Sequence, residues 1–282
     1  MRVLRRVHHM VRLAQKVRLA GQTIGLVPTM GALHEGHLSL IRAARRENDV
    51  VVVSVFVNPR QFGPTEDFAR YPRDLRRDLR LASSEGTDVV FAPEASEMYP
   101  KGFCTSVEVE GLSSRLEGAM RPGHFRGVTT VVAMLFHAVQ PTRAYFGQKD
   151  YQQAVIIRRM VEDLRLLVRV RVLPTIREPD GLAMSSRNAY LSRVERREAG
   201  VLFRALTSAE DAIHDGERDP QRLRRRISRL IQQQPRVRAQ EIAIVDAGTL
   251  EPVKTLTGRV AMLVSARVGR MRLIDNLLVD VT

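Results

Sequence analysis

Residues 50–57 read VVVVSVFV, and this nearly unbroken apolar run constrains the fold more than any other segment. A strand with one wet face alternates apolar and polar residues. A continuous run is what a strand needs when helices cover both faces, as in a parallel sheet. It ends at Asn58-Pro59, a turn signal. Shorter runs of the same kind occur at residues 23–28 (TIGLVP), 88–92 (DVVFA), 143–146 (RAYF) and 168–173 (VRVRVL). An edge pair is expected around residues 104–109. Helical patterns lie between them at residues 36–46, 75–85, 128–139 and 151–164. Such alternation implies βαβ units with right-handed crossovers. Residues 1–176 are therefore expected to form a Rossmann-like, doubly wound parallel α/β domain that binds ligands at the carboxyl ends of its strands. Beyond residue 176 the pattern changes. A turn at Glu178-Pro179-Asp180-Gly181 precedes long helical stretches at 193–214 and 220–233, then strands near 239–245, 259–265 and 271–278. This order predicts a smaller C-terminal α+β domain over residues 177–282.

With 282 residues, 44% hydrophobic and 27% charged, the chain is long enough to bury a substantial core. Its 45 cations against 31 anions give a net charge of +14, which invites a nucleic-acid or anionic-membrane partner. The distribution argues otherwise. Only Lys16, Lys101, Lys149 and Lys254 are lysines; the rest are arginines scattered along the chain, and aromatics are 5% with no Trp. An RNA-binding module would cluster its cations with interleaved aromatics. The one Arg-rich run, residues 222–229, carries Leu and Ile at helical spacing and reads as the solvated face of an amphipathic helix. No stretch approaches 18 apolar residues, so no membrane span is expected. The basic N-terminus lacks a signal-peptide apolar core and reads as a first helix. Cys104 is the sole cysteine, which excludes an intrachain disulfide and favours a reducing, cytoplasmic setting.

The chemistry concentrates in residues 28–37, Pro-Thr-Met-Gly-Ala-Leu-His-Glu-Gly-His, between the first of these strands and the next helix. Gly31 and Gly36 let backbone approach a ligand, and a helix beginning near Gly36 aims free N–H groups at an anion. His34 and His37 are three apart and project to one side of a helical turn, which suits a phosphate. Metal ligation is the competing reading, although the spacing is not HExxH and no third ligand is apparent; ordinary packed histidines are another. Lys149, in Gly147-Gln148-Lys149-Asp150, follows the RAYF strand, where an open α/β sheet places functional residues. In a chain that uses arginine almost everywhere, a lysine there is conspicuous. Residues 121–127 (RPGHFRG) form a further basic turn.

The turn H-x-G-H after the first strand of an α/β domain resembles the signature of the HIGH-type nucleotidyltransferases. Its neighbours narrow the resemblance. PTMGALHEGHLSLI, VSVFVNPRQFGPTEDFARYPR, LEGAMRPGHFRGVTTVV, YFGQKDYQQAVIIRRMV and GLAMSSRNAYLS are together similar, in order and spacing, to the pantothenate synthetase (pantoate–β-alanine ligase) family. The resemblance implies a homodimeric enzyme that uses Mg-ATP to convert pantoate to an enzyme-bound pantoyl adenylate, which β-alanine then attacks, with no tightly bound organic cofactor. Residues matching the family's ATP positions are Met30, Gly31, Ala32, Leu33, His34, Glu35, Gly36, His37, Gly147, Gln148, Lys149, Asp150, Ile176, Met184, Ser185, Ser186 and Arg187. His34, His37 and Lys149 are the ones expected to act in catalysis. Gln61 and Gln153 match pantoate positions, and Gln61 with Asn58 and Tyr71 is expected at the β-alanine site. The metal ligands are left unassigned. Gln148 departs from the family's usual Glu. The smaller domain is expected to close over the site. A related HIGH-type nucleotidyltransferase acting on another small substrate is the alternative, and it would lack the NPxQF, RPGHF and FGQKDYQQ segments.

Overall fold

The computed structural model describes residues 1–64 and 66–281; Thr65, within the NPRQFGPTEDF segment, and Thr282, the last residue of the expected C-terminal domain, lie outside them. The chain divides into two compact units, Met1–Gly147 with Gln152–Pro174, and Gln148–Tyr151 with Thr175–Thr282. A boundary drawn at residue 176 differs from this division chiefly in one tetrapeptide, Gln148–Tyr151, which groups with the second unit although its sequence neighbours on both sides belong to the first.

The first unit holds a parallel sheet of β1 (Arg2–Leu4), β2 (Ile24–Thr29), β3 (Val50–Val55), β4 (Val89–Phe91), β5 (Arg143–Gly147) and β6 (Arg169–Leu173) in the order β1-β4-β3-β2-β5-β6. Its helices are α1 (Val7–Leu19), α2 (Glu35–Glu47), α3 (Leu75–Ser84), the single turns α4 (Ala95–Met98) and α5 (Glu117–Met120), α6 (His124–Val139) and α7 (Tyr151–Asp163). Both sheet faces are buried. Val52, Leu26 and Phe146 pack with residues of α1, α6 and α7, while Val51, Val53, Val27 and Tyr145 pack with α2 and α3. Alternate residues of β3 thus enter different cores, which is why its sequence is apolar on both faces apart from Ser54, buried and hydrogen-bonded to Thr29. The chain winds outward from β2 through β3 to β4, then returns to lay β5 against the other side of β2. That reversal makes the carboxyl ends of β2 and β5, at Thr29 and Gly147, the switch point where open α/β sheets bind ligands.

Three expectations need correction. The N-terminus is not purely helical: residues 2–4 pair in parallel with Val89–Phe91 before α1 begins, an edge strand too short to show a period. Residues 104–109 form no strand. The backbone of Val107 is satisfied instead from α6, where Thr130 Oγ1 accepts its N–H at 3.0 Å and Thr129 Oγ1 donates to its carbonyl, so no neighbouring strand is required. The long helix expected at 193–214 is interrupted at Gly200, which ends α8 (Arg193–Ala199) and starts α9 (Val201–His214) with φ −58° and ψ −13°.

In the second unit α8, α9 and α10 (Pro220–Gln232) accompany an antiparallel meander, β7 (Val237–Asp246), β8 (Gly258–Val268) and β9 (Met271–Val281). Leu223, Ile227 and Ile231 of α10 are buried with Leu202, Leu206, Met262 and Val264. The arginines between them stay exposed, as the spacing predicts.

Candidate active site

In the first unit, the loop that leaves β2 is built largely by its own residues. His34 is the N-cap of α2: its Nδ1 accepts the N–H of Gly36 at 3.2 Å, and His37 Nδ1 accepts the N–H of His34 at 3.3 Å. The two imidazoles do the work of a Ser/Glu capping box, with ring centroids 4.1 Å apart. An Nδ1 that accepts is unprotonated, so each neutral ring carries its proton on Nε2 as a donor. Sequence spacing brought the histidines to one side of a turn; the caps decide the tautomer. Among the described residues no three His, Cys, Asp or Glu side chains converge as a metal would need, so the metal reading of this pair finds no third ligand there.

The loop ahead of the histidines is seated on a residue the sequence did not mark. Gly31 and Ala32 have φ of +81° and +50°, in the left-handed region that glycine tolerates and alanine resists. Asp78, on α3 and 2% exposed, accepts the N–H of Ala32 at 2.9 Å and of Leu33 at 2.8 Å, one on each oxygen. A Cβ on Gly31 would stand 2.8 Å from Asp78 Oδ2. Burial raises the Asp78 carboxyl above its ordinary range, the two amides opposing it. Within RRDL on an amphipathic helix, Asp78 has the look of a surface acid. Nothing in its own segment says which face it takes.

Gln61 donates from Nε2 to Met30 Sδ at 3.0 Å, and its Oε1 accepts from Asn58 Nδ2 at 3.1 Å. Asn58, expected to line the β-alanine site, is 1% exposed. Its Nδ2 also donates to Gly127 O, and its Oδ1 accepts from Tyr99 Oη and Arg60 N. It therefore supports Gln61 from beneath. Burial pushes the Tyr99 phenol up to about 12, which keeps it a donor. Tyr71 is buried too, edge-on to Phe62 at 6.0 Å. On α7 the two glutamines divide. Gln152 is buried and spent on Leu112 O, Arg115 O and Glu117 N, while Gln153, the expected pantoate residue, is half-buried.

A cavity of about 700 Å³ opens beside Gln61, with Glu66, Arg121, His124 and Arg126 among its lining residues. Arg121 meets Glu66 through two nitrogens at 2.6 Å and Glu117 at 3.0 Å. His124 donates from Nδ1 to Gln61 O at 2.7 Å and receives Arg121 at Nε2, 2.9 Å away. Burial and the adjacent guanidinium push this imidazole down to about 4. It is a neutral clamp on the backbone of Gln61. The basic RPGHF turn has thus largely neutralised its own charge.

In the second unit, Lys149 lies in the single turn Gln148–Asp150, with Nζ 3.8 Å from Asp150 Oδ1. Asn276, on β9, donates from Nδ2 to the carbonyls of Gln148 and Lys149 at 3.0 and 2.9 Å, and Gln148 Nε2 reaches Asn276 Oδ1 at 3.4 Å. An amide at 148 can make that contact; a glutamate would present acceptor to acceptor. Tyr151 Oη donates to Ala247 O at 2.8 Å. Next to Asn276, the fully buried side chain of Asp275 receives both Arg177 nitrogens at 2.7 and 2.9 Å, and Arg177 lies 4.0 Å from the centre of the Phe203 ring. Burial raises the Asp275 carboxyl and the guanidinium opposes it. Ile176 O accepts the N–H of Met184 at 3.0 Å, closing residues 176–184 into a hairpin, and Ser185 Oγ accepts the N–H of Arg187 at 3.3 Å. The adenine-side and phosphate-side expectations at Ile176 and Ser185 to Arg187 thus fall on one short, hydrogen-bonded stretch. A Cβ at Gly147 would meet nothing within 4 Å.

Comparison with known proteins shows what the chain as a whole is similar to. The family model described as pantoate-β-alanine ligase matches residues 2–278. A Moorella thermoacetica protein named pantothenate synthetase is 58% identical over 264 residues, 94% of this chain and 93% of its own length. The crystal structure of pantothenate synthetase from Thermus thermophilus superposes with a TM-score of 0.92 at 50% identity, covering 98% of this chain and 99% of that one. The Francisella tularensis pantoate-β-alanine ligase, solved with a β,γ-ATP compound and β-alanine, gives a TM-score of 0.81 at 34% identity over 99% and 97% of the two chains.

Proposed function

The chain belongs to the pantoate–β-alanine ligase family, and from that premise we propose how its residues divide the work of joining pantoate to β-alanine with ATP. The observation that carries the reading is the reciprocal His34–His37 cap at the start of α2, just beyond the carboxyl end of β2 at the switch point. The pantoate carboxylate attacks the α-phosphorus of ATP, the P–O bond to the β-phosphate breaks, and pyrophosphate leaves. The amine of β-alanine then attacks the acyl carbon of the pantoyl adenylate, expelling AMP and losing a proton to give pantothenate.

Each step gathers negative charge on phosphate, so preorganised donors are the main requirement. His34 and His37 supply Nε2–H groups beside the helix N-terminus. Lys149 and Arg187 supply full charges, and Ser185 and Ser186 supply hydroxyl and backbone donors. Asp150 takes the ribose, the backbone of Ile176 the adenine, and the stretch from Met30 to Leu33 the nucleotide's near face. Gln61 and Gln153 orient pantoate through neutral amides, which leave its carboxylate nucleophilic where an arginine would pair with it. β-Alanine follows at Gln61, with Asn58 and Tyr71 behind it. Mg²⁺ enters on the ATP phosphates as part of that substrate. The reading extends to a cytoplasmic homodimer, supported by the family resemblance and the single cysteine. No helix among the described residues is long and apolar enough to cross a membrane.

Exchange of labelled pyrophosphate into ATP tests the first step. Exchange that requires pantoate is expected. Exchange indifferent to pantoate would transfer the site to another nucleotidyltransferase substrate.

A further inference from the structure

The histidine loop is gripped from α3 by two consecutive residues. Asp78 accepts the amide protons of Ala32 and Leu33, and Arg77 NH1 donates to Leu33 O at 3.0 Å. Leu33, the residue before His34, therefore has both of its backbone polar groups held by side chains some 45 positions away. Leu33 itself is fully buried in the core formed with α2 and α3. A displacement of Leu33 is transmitted directly to His34, whose N–H is one of the two capping bonds.

We propose that Arg77 and Asp78 are positioning residues for adenylate formation: they fix the strained Gly31–Ala32 turn so that the His34–His37 cap presents its Nε2 donors to the phosphates. The inference rests on the functional reading of the histidines given above.

Three physical points support it. Ala32 at φ +50° is a conformation an alanine leaves unless its surroundings hold it. The two amides that hold it here meet one carboxylate, the strongest acceptor available, at short distances. The carboxylate is also an uneconomical choice for stability alone. Burial raises the folded carboxyl above its unfolded value, so the folded state binds the proton more tightly, and stability falls as pH rises through the folded value. With both oxygens accepting amide protons, the carboxylate is held against the desolvation that opposes its charge, and positioning the loop gives a reason for keeping it.

Asp78→Asn keeps the shape but turns one acceptor into an N–H facing an N–H. Pantoate-dependent pyrophosphate exchange is expected to lose about 10- to 100-fold in kcat, the range for residues that orient a functional group without touching the ligand. The KM for pantoate, which Gln61 and Gln153 set, should move less than about twofold, and the melting temperature only a few degrees. Arg77→Ala, at an exposed position, removes only the carbonyl tie and is expected to lose about three- to tenfold in the same kcat. The inference is overturned if the variants exchange within about twofold of wild type. It is equally overturned if pantoate KM and melting temperature fall into disorder together with kcat, the mark of a general loss of structure. Should Asp78→Asn not fold, Arg77→Ala decides alone by the same criteria. Wild-type exchange that ignores pantoate would sink the functional reading instead, so the two failures are separable.

Discussion

Two segments of this chain, both proposed to meet the phosphates of ATP, are stabilised in different ways. The histidine loop caps itself: His34 and His37 satisfy backbone groups within three residues of themselves, and the sequence spacing H-x-G-H already contains that geometry. The lysine segment borrows. Gln148 and Lys149 are held through their carbonyls by Asn276, and Asn276 is seated beside a buried Asp275–Arg177 pair. A motif can therefore be read from sequence at both places, but the histidines supply their own cap on a turn that Arg77 and Asp78 seat from α3, whereas the lysine segment supplies no cap of its own. The Gln148–Tyr151 tetrapeptide joins the second unit for this reason, even though β5 delivers it from the first.

The largest test asks whether the two segments serve one step. His37→Ala and Lys149→Ala should each lower pantoate-dependent exchange by about 10²- to 10³-fold, the usual consequence of removing a donor to developing charge; a lysine variant retaining a tenth of wild-type rate would break the pairing. Smaller, and confined to the borrowed segment, is the effect of Asp275→Ala. It strands Arg177 with a carboxylate missing and should cost about 3 kcal/mol of stability, read as a lowered denaturation midpoint; an unchanged midpoint would show that the pair does not hold the second unit. Smallest is Asn276→Ala, which should lower exchange about tenfold with little change in midpoint, because it loosens Lys149 without emptying a core. Exchange at the wild-type rate would mean that Lys149 keeps its place without Asn276.

Most of the fold was legible because its causes are short-range. The runs at residues 50–57 and 143–146, the turn at Asn58-Pro59, and the helical spacing of Leu223, Ile227 and Ile231 each state their element from a few neighbouring residues. The misreadings have tertiary causes. Residues 2–4 become a strand only because β4 lies alongside, and residues 104–109 avoid becoming one because Thr129 and Thr130 satisfy Val107 first. The site divides along the same line. His34, His37, Lys149 and Gln61 stand in motifs that resemble a family. Asp78, Tyr99, Arg177, Asp275 and Asn276 stand in segments that read as ordinary helix, loop or strand. Asn58, marked for substrate by its motif, is buried and hydrogen-bonded to Gln61, a support that its segment does not announce.

The sequence by itself determined a parallel α/β architecture and a smaller α+β partner, because apolar period and turn residues act over a handful of positions, and its motifs carried the family resemblance that implies activation of a carboxylate with ATP. Only the tertiary structure decided which carboxylate seats the histidine loop, which amide holds the lysine, and to which unit that lysine belongs. Those choices depend on groups 45 to 128 residues apart, and a buried polar group reveals its purpose only through the partner that satisfies it.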